Sequence, residues 1–240
     1  YLTLDKDEID AERGVISEEW RTRRNPSFRI GLEINPVIYK DSQYAKRDVI
    51  GDYDIINNFE PQTLRDFYHD WYRTDLQAIV VVGDIDAEAT VEKIKTMFEP
   101  IPAVENPKER IEYEIPGHDE MYYALGTDKE ATASSVQILT ILPNKRTDKD
   151  KFSYLREGLL SSFFNSMIAN RLSEIMQQSN PPYLGGSISY GGLKRNYAAY
   201  SCTATAKPNE ETEALKTILT ENERVKRYGF SDSELERVKA

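Results

Sequence analysis

The segment Glu12-Arg13-Gly14-Val15-Ile16-Ser17-Glu18-Glu19-Trp20 constrains this chain more than any other. It consists mostly of good helix formers, yet carboxylates interrupt what should be an apolar stripe. Asp5, with Glu8 three residues on, reads as a capping box that opens the helix. Ile9, Glu12, Ile16 and Glu19 then recur at i, i+3, i+7 and i+10, one face of a 3.6-residue helix. Glu12 and Glu19 therefore point the same way, two turns apart, among Ile9, Ile16 and Trp20. A carboxylate on a core-facing stripe is costly unless an arginine, a hydrogen-bond network or a metal ion compensates it. The alternative is a stripe turned by a few degrees, with both glutamates in water, where glutamate usually resides.

The histidines limit the chemistry next. There are two in 240 residues, His69 and His118, and neither belongs to an H-x-x-E-H or H-E-x-x-H spacing. No single helical turn can offer two imidazoles, whereas catalytic zinc takes three protein ligands. His69 lies beside Trp71 in a helical pattern and His118 follows Pro116-Gly117 in a loop, so both read as solvated or packing residues. The net charge of −10, with no basic cluster beyond Arg21–Arg24, argues against nucleic acid and against anionic membrane surfaces as partners. The longest apolar run, Ala78–Val82, is far too short to span a bilayer. The single cysteine, Cys202, excludes an internal disulfide and sits in a strand-like run as a small core residue. The chain begins at Tyr1 and stops at Ala240 within a helical pattern, and reads as a piece of a longer protein.

Asn25-Pro26 fits an N-cap followed by proline at the first helical position, with a second helix to about Tyr39. Lys40 to Asn58 reads as loop with a short helical turn. Pro61 opens a helix whose Leu64, Phe67 and Trp71 face a core. Leu76–Val82 lacks alternation and is expected as a central strand buried on both faces. Asp86 caps a helix with the stripe Val91, Ile94 and Phe98. Glu99–Pro107, with three prolines, is the linker candidate. The domain boundary is placed after it, giving residues 1–113 and 114–240.

The second half opens with expected strands at Glu112–Ile115, Met121–Gly126 and Ser134–Leu142. A long helix follows from Asp150 to about Gln177, with Phe152, Leu155, Leu159, Phe163, Leu172 and Ile175 on its apolar face. Ser187–Tyr190 and Tyr197–Thr205 alternate and form a hairpin across a Gly191–Asn196 loop. Pro208 starts another helix, Gly229 ends it, and Ser231 with Glu234 forms a capping box for the last one. Ala78–Phe98 and Ala199–Leu219 echo each other as strand, turn and helix. The expected fold is α+β, with antiparallel or mixed sheets covered by helices on one face.

The segment ERGVISEEWR resembles that of the inverted-zincin metallopeptidases, the M16 group of pitrilysin, insulin-degrading and mitochondrial processing peptidases. In that group an H-x-x-E-H helix carries two zinc ligands and the general-base glutamate, and a downstream glutamate completes the zinc shell. The resemblance implies that Glu19 is that ligand and that Glu12 is an acidic residue standing behind it. It continues through Leu64, Phe67-Tyr68, Trp71-Tyr72-Arg73 and Val80–Asp86, then Arg171-Leu172, Pro181-Pro182-Tyr183 and Tyr228-Gly229-Phe230. It implies repeated metallohydrolase-type α+β domains. Residues 1–113 would be the C-terminal part of the zinc-peptidase domain and 114–240 most of a structural, non-catalytic repeat. The H-x-x-E-H segment is absent from these residues. The resemblance therefore implies a zinc metalloendopeptidase in the full-length protein, with Zn2+ as cofactor. The two histidines and the base are expected upstream, so no catalytic residue is assigned in this chain, which by itself is expected to be inactive and metal-free. Its implied partners are a peptide or small protein substrate, enclosed in a chamber, and further M16 domains of the same chain or of a homologous subunit. The competing expectation is a non-catalytic M16-like scaffold or peptide-binding subunit. A periplasmic or otherwise exported location is carried as an expectation, as is a Gly191–Asn196 tip that reaches substrate.

Overall fold

In the computed structural model, which describes residues 2–144 and 151–239, the chain divides into two compact units, Tyr1–Lys129 and Glu130–Ala240. The first unit is helical: α1 (Lys6–Arg23), α2 (Pro26–Ile38), α3 (Tyr53–Asn58), α4 (Pro61–Trp71) and α5 (Ala87–Phe98), with 3-10 turns at Gln43–Ala45 and Thr74–Leu76. Local chemistry sets most of these boundaries. The Asn25 side chain accepts from Phe28 N and Pro26 occupies the first turn of α2. Asp52 caps α3 through Asp54 N and Ile55 N, and Asp86 caps α5 through Ala89 N. Asp5 does stand at the N-cap of α1, but its side chain makes no capping hydrogen bond, so the expected capping box is not formed.

Leu76–Val82 is not a buried central strand. Past the 3-10 turn the run joins no ladder, and Val80 and Val82 are 81% and 90% exposed. A strand is completed by neighbours that take up its N–H and C=O groups. Among the described residues of this unit none is a strand. Glu112–Ile115 and Met121–Gly126 likewise form no strand; Ile115 alone of them is buried. Polar ties hold this stretch to the helices instead. Ser42 Oγ donates to the Glu114 carbonyl at 2.6 Å, Thr127 N to Glu33 Oε2 at 3.1 Å, and Arg29 Nε to Asp128 Oδ2 at 2.5 Å. These ties place residues 114–128 with the first unit, beyond the 113/114 position expected for the boundary. The stripes of α4 and α5 are only partly covered, with Phe67 and Val91 about half exposed.

The second unit is a three-stranded antiparallel sheet, β1 (Ser134–Pro143), β2 (Gly185–Lys194) and β3 (Tyr197–Ala206), in the order β1-β3-β2. Three helices accompany it: α6 (Phe152–Met176), α7 (Glu211–Tyr228) and α8 (Asp232–Lys239). The even residues of β3, from Ala198 to Ala206, form the inner face, as the period of two requires. They meet Ile168, Leu172, Tyr183, Ile188, Ala214 and Ile218 in the core. Cys202 is buried there, and its burial pushes the thiol pKa up. A side chain at Gly186 would be crowded, since a Cβ would lie 2.6 Å from Ile218 Cδ1 and 3.0 Å from the Tyr183 ring.

Three expectations need correction here. The strands of the hairpin run longer than expected, and the connection shrinks from Gly191–Asn196 to a turn at Arg195-Asn196, with Asn196 at φ 63°. Gly191 and Gly192 join the ladder because Ala199 and Ala198 lie opposite them. The apolar face of α6 is buried only in its second half; Phe152, Leu155 and Leu159 are more than half exposed. Asp150, its expected start, lies outside the described residues. The internal echo also fails in its first member, which lacks the strand. Gly229 does end α7 at φ 67°, and Ser231 with Glu234 does form the box that starts α8, Ser231 N donating to Glu234 Oε2 at 2.7 Å.

Candidate functional site

The residues singled out for metal chemistry sit on α1, and the way α1 is docked decides where they point. Its contacts run to α3. Arg13 Nη1 donates to the Ile56 carbonyl at 2.5 Å and Nη2 to the Phe59 carbonyl at 2.6 Å. The Arg13 guanidinium lies 4.0 Å from the Phe59 ring centroid. Ser17 Oγ donates to Asn57 Oδ1 at 3.2 Å, and the Trp20 and Tyr53 rings are 4.8 Å apart. Ile9 is buried on the same side. The docked face is therefore Ile9, Arg13, Ile16-Ser17 and Trp20, not Ile9, Glu12, Ile16 and Glu19.

The reason is electrostatic. The last carbonyls of a helix lack intrahelical partners and carry the negative end of its dipole. A guanidinium satisfies them; a carboxylate would repel them. Arg13 therefore takes the inward position and the glutamates are turned out. Seven residues are nearly two full turns, so Glu12 and Glu19 still share a flank, about 10 Å apart along the axis. Glu12 is exposed. Glu19 is part-covered, its side chain 41% exposed, with Oε1 2.5 Å from Nη2 of Arg23, itself 53% exposed. On the same helix, the hydrogen bond from Arg13 holds the Asp10 carboxyl below its ordinary range.

A carboxylate oxygen is a normal zinc donor. Glu19 presents one on the undocked flank of α1, paired with Arg23 one turn on. It fits as one ligand of a shared shell. Among the described residues no group of three or more His, Cys, Asp or Glu side chains could hold a metal ion. His69 is exposed against Tyr68, and His118 is exposed and stacked on Tyr122 at 4.0 Å.

The sequence reading missed Arg13. The signal was present, since Ile9, Arg13, Ile16 and Trp20 also fall at helical spacing. Arginine is usually a surface residue, so spacing alone does not favour it over Glu12 for the inward position.

The second unit holds a charged cluster rather than a catalytic constellation. Arg171 binds Glu221 and Glu234, which raises the Arg171 pKa and lowers that of Glu234 to about 2. Burial pushes the hydroxyls of Tyr183 and Tyr200 up to about 12. The Tyr183 hydroxyl donates to the Leu172 carbonyl at 2.8 Å, and that of Tyr200 donates to Asn222. Among the described residues no helix is long and apolar enough to cross a membrane.

Comparison with known proteins bears on both units. The chain is 27% identical over 242 residues to the probable zinc protease PqqL of Escherichia coli K12, covering 99% of this chain and 25% of that protein. It thus spans about a quarter of the relative's length. The crystal structure of the first half of the periplasmic protease PqqL from E. coli superimposes with a TM-score of 0.76 at 26% identity, over 99% of this chain and 50% of that one. A mutant of the ferredoxin protease FusC, in complex with Arabidopsis ferredoxin, gives a TM-score of 0.78 at 25% identity, over 98% of this chain and 26% of that one. Residues 58–240 match the family described as Peptidase M16 inactive domain. α1 lies outside that matched range, whereas the whole antiparallel unit lies inside it. With helices, a small antiparallel sheet and zinc-protease relatives in agreement, this α+β chain belongs to the M16 peptidase family.

Proposed function

We propose that the protein containing this chain is a zinc-dependent endopeptidase and that Glu19 is the third protein ligand of its zinc. The observation that carries this is the flank of α1: Glu19 lies part-covered beside the face pinned to α3, its carboxylate paired with Arg23 one turn on. The two remaining ligands and the general-base glutamate belong to an H-x-x-E-H segment outside these 240 residues. When bound, the metal supplies Lewis acidity for peptide hydrolysis. Glu19 contributes a negative donor to the shell, and Glu12, on the same flank, orients neighbouring groups.

The first unit, up to Lys129, is then the latter part of the zinc domain, and the second, from Glu130, most of a structural repeat. The family match described as inactive begins at residue 58, so it leaves the glutamate helix outside and takes in α4 and α5 together with the whole second unit. The substrate is a peptide or small protein, held in a chamber completed by further M16 domains of the same chain or of a homologous subunit. The complex of FusC with ferredoxin supports a protein substrate. An extended segment of such a substrate can pair with a sheet edge, and among the described residues β1 and β2 are the outer strands of the second unit's sheet. The periplasmic description of PqqL supports an exported location.

Glu19→Gln in the full-length protein tests the ligand. It is expected to lower bound zinc and peptidase activity together, measured by metal analysis and peptide cleavage. Full zinc occupancy in that variant removes Glu19 from the shell. The inactive description favours a second reading, a non-catalytic peptide-binding subunit. Wild-type full-length protein that purifies without zinc, takes none up and still binds peptide would establish it.

A further inference from the structure

We propose that Arg13 is the positioning residue for the zinc ligand, an inference that rests on the assignment of Glu19 above. Arg13 does more than pair with a neighbour. Its side chain is 13% exposed, and its guanidinium is spread over four groups: the Ile56 carbonyl, the Phe59 carbonyl, the Phe59 ring and Asp10 Oδ1 at 2.9 Å. Three of the four belong to α3 or to the residue that ends it. They surround the guanidinium and fix the direction in which it leaves α1. A planar fork held by two carbonyls and a ring has one orientation, which a lysine ammonium does not share.

The consequence is the rotational phase of α1. Glu12 follows the docked side by roughly a quarter to a third of a turn, and Glu19 lies nearly in line with it. A side-chain tip stands about 5–6 Å from a helix axis, so turning α1 by about 10° displaces the Glu19 carboxylate by about 1 Å. Metal shells tolerate about 0.2 Å. Without Arg13, Ser17 and Trp20 still hold α1 to α3, through one hydrogen bond and one ring contact. Neither has the fork's directionality. The helix survives and its phase loosens.

Zinc affinity of the full-length protein, read by competition with a chromophoric chelator and without substrate, tests this. Arg13→Met is expected to weaken zinc binding about 10- to 100-fold, and Arg13→Lys by less. Arg73→Met is the control, because Arg73, a buried arginine of the same unit, donates to the Asp70 and Lys108 carbonyls, neither of them on α1 or α3. It is expected to bind zinc as the wild type does. Arg13→Met within about threefold of wild type overturns the proposal, and so does an equal loss in Arg73→Met. If Arg13→Met does not fold, Arg13→Lys decides: a loss beyond about threefold supports the proposal and unchanged affinity overturns it. Glu19→Gln is measured alongside. Zinc retained there overturns the ligand assignment itself, whereas zinc lost there and kept in Arg13→Met overturns only the role of Arg13.

Discussion

Arg171 is the residue of the second unit whose removal should be felt most. It leaves α6 and joins two other helices. Nε and Nη2 donate to Glu234 of α8 at 2.5 and 2.8 Å, Nη1 donates to Glu221 of α7 at 3.1 Å, and Nη2 also reaches the Gly229 carbonyl at 3.1 Å. The Glu221 side chain is 3% exposed. In Arg171→Leu it keeps one ion-pair partner among the described residues, Arg224 Nη1 at 2.8 Å. Breaking a buried pair by removing one member costs about 3–5 kcal/mol, and the surviving Arg224 contact puts the expected loss near ~3 kcal/mol. Cys202 gives a clean reading of that loss, because it is the sole cysteine and lies in the core of this unit. Thiol labelling under native conditions requires the unit to open. A loss of ~3 kcal/mol raises the labelling rate roughly 100-fold when reclosing outruns labelling. Adding Glu221→Gln removes the stranded charge and should bring the rate most of the way back. The reasoning is refuted if the single variant labels within about fivefold of wild type, or if the double variant labels as fast as the single one.

The remaining predictions use the same chain. Hydrogen bonds from Arg171 hold Glu234 at about 2 in the folded state against an ordinary 4.5, so the unfolded chain binds the extra proton between those values. The stability this contributes, at most about 3 kcal/mol for a group so well covered, is complete above pH 4.5 and is lost as pH falls toward 2. Urea midpoints measured down that range should fall, and should fall less in Arg171→Leu. Gly186→Ala forces a methyl against Ile218 and Tyr183 and should cost about 1–3 kcal/mol, seen as faster Cys202 labelling; a neutral result would mean that the fully buried Ile218 yields without strain. In hydrogen exchange, amides of Ile79–Val82 should exchange among the fastest and those of Tyr197–Ala206 among the slowest, and the reverse order would contradict the absence of a ladder at residues 79–82.

What was legible in the sequence was what depends on residues within four positions. The caps at Asn25, Asp52 and Asp86, the glycine end of α7 and the Ser231–Glu234 box are all local chemistry. The alternation of β3 was legible because one face of the sheet is covered and the other is not. What was illegible depended on partners remote in sequence. Ile79–Val82 reads as a strand by composition, but a ladder needs a second backbone. Gly191-Gly192 reads as a loop by composition, yet β3 supplies the second backbone and draws it into the sheet. The phase of α1 failed for a third reason. Both glutamate and arginine fit a helical stripe by spacing, and only the carbonyls ending α3, more than forty residues away in sequence, decide between them.

That last point extends to the first unit as a whole. Among its described residues the buried apolar side chains are few, Ile9, Tyr39 and Ile115, none of them fully buried, while many of its large hydrophobics are exposed. Arginines make the long-range ties instead. Arg13 reaches the carbonyls of Ile56 and Phe59, Arg65 that of Leu4, Arg73 that of Lys108, and Arg29 binds Asp128. Apolar burial is non-directional, so a core leaves a helix free to find its own phase within the packing. Guanidinium to carbonyl bonds are directional and fail with misalignment. A unit held by such bonds resists rotation of its helices more than its modest core would suggest. If Glu19 is the zinc ligand proposed above, that is the property its carboxylate would need to meet ligands carried by another part of the polypeptide, and its control would lie in the arginines rather than in the apolar stripe.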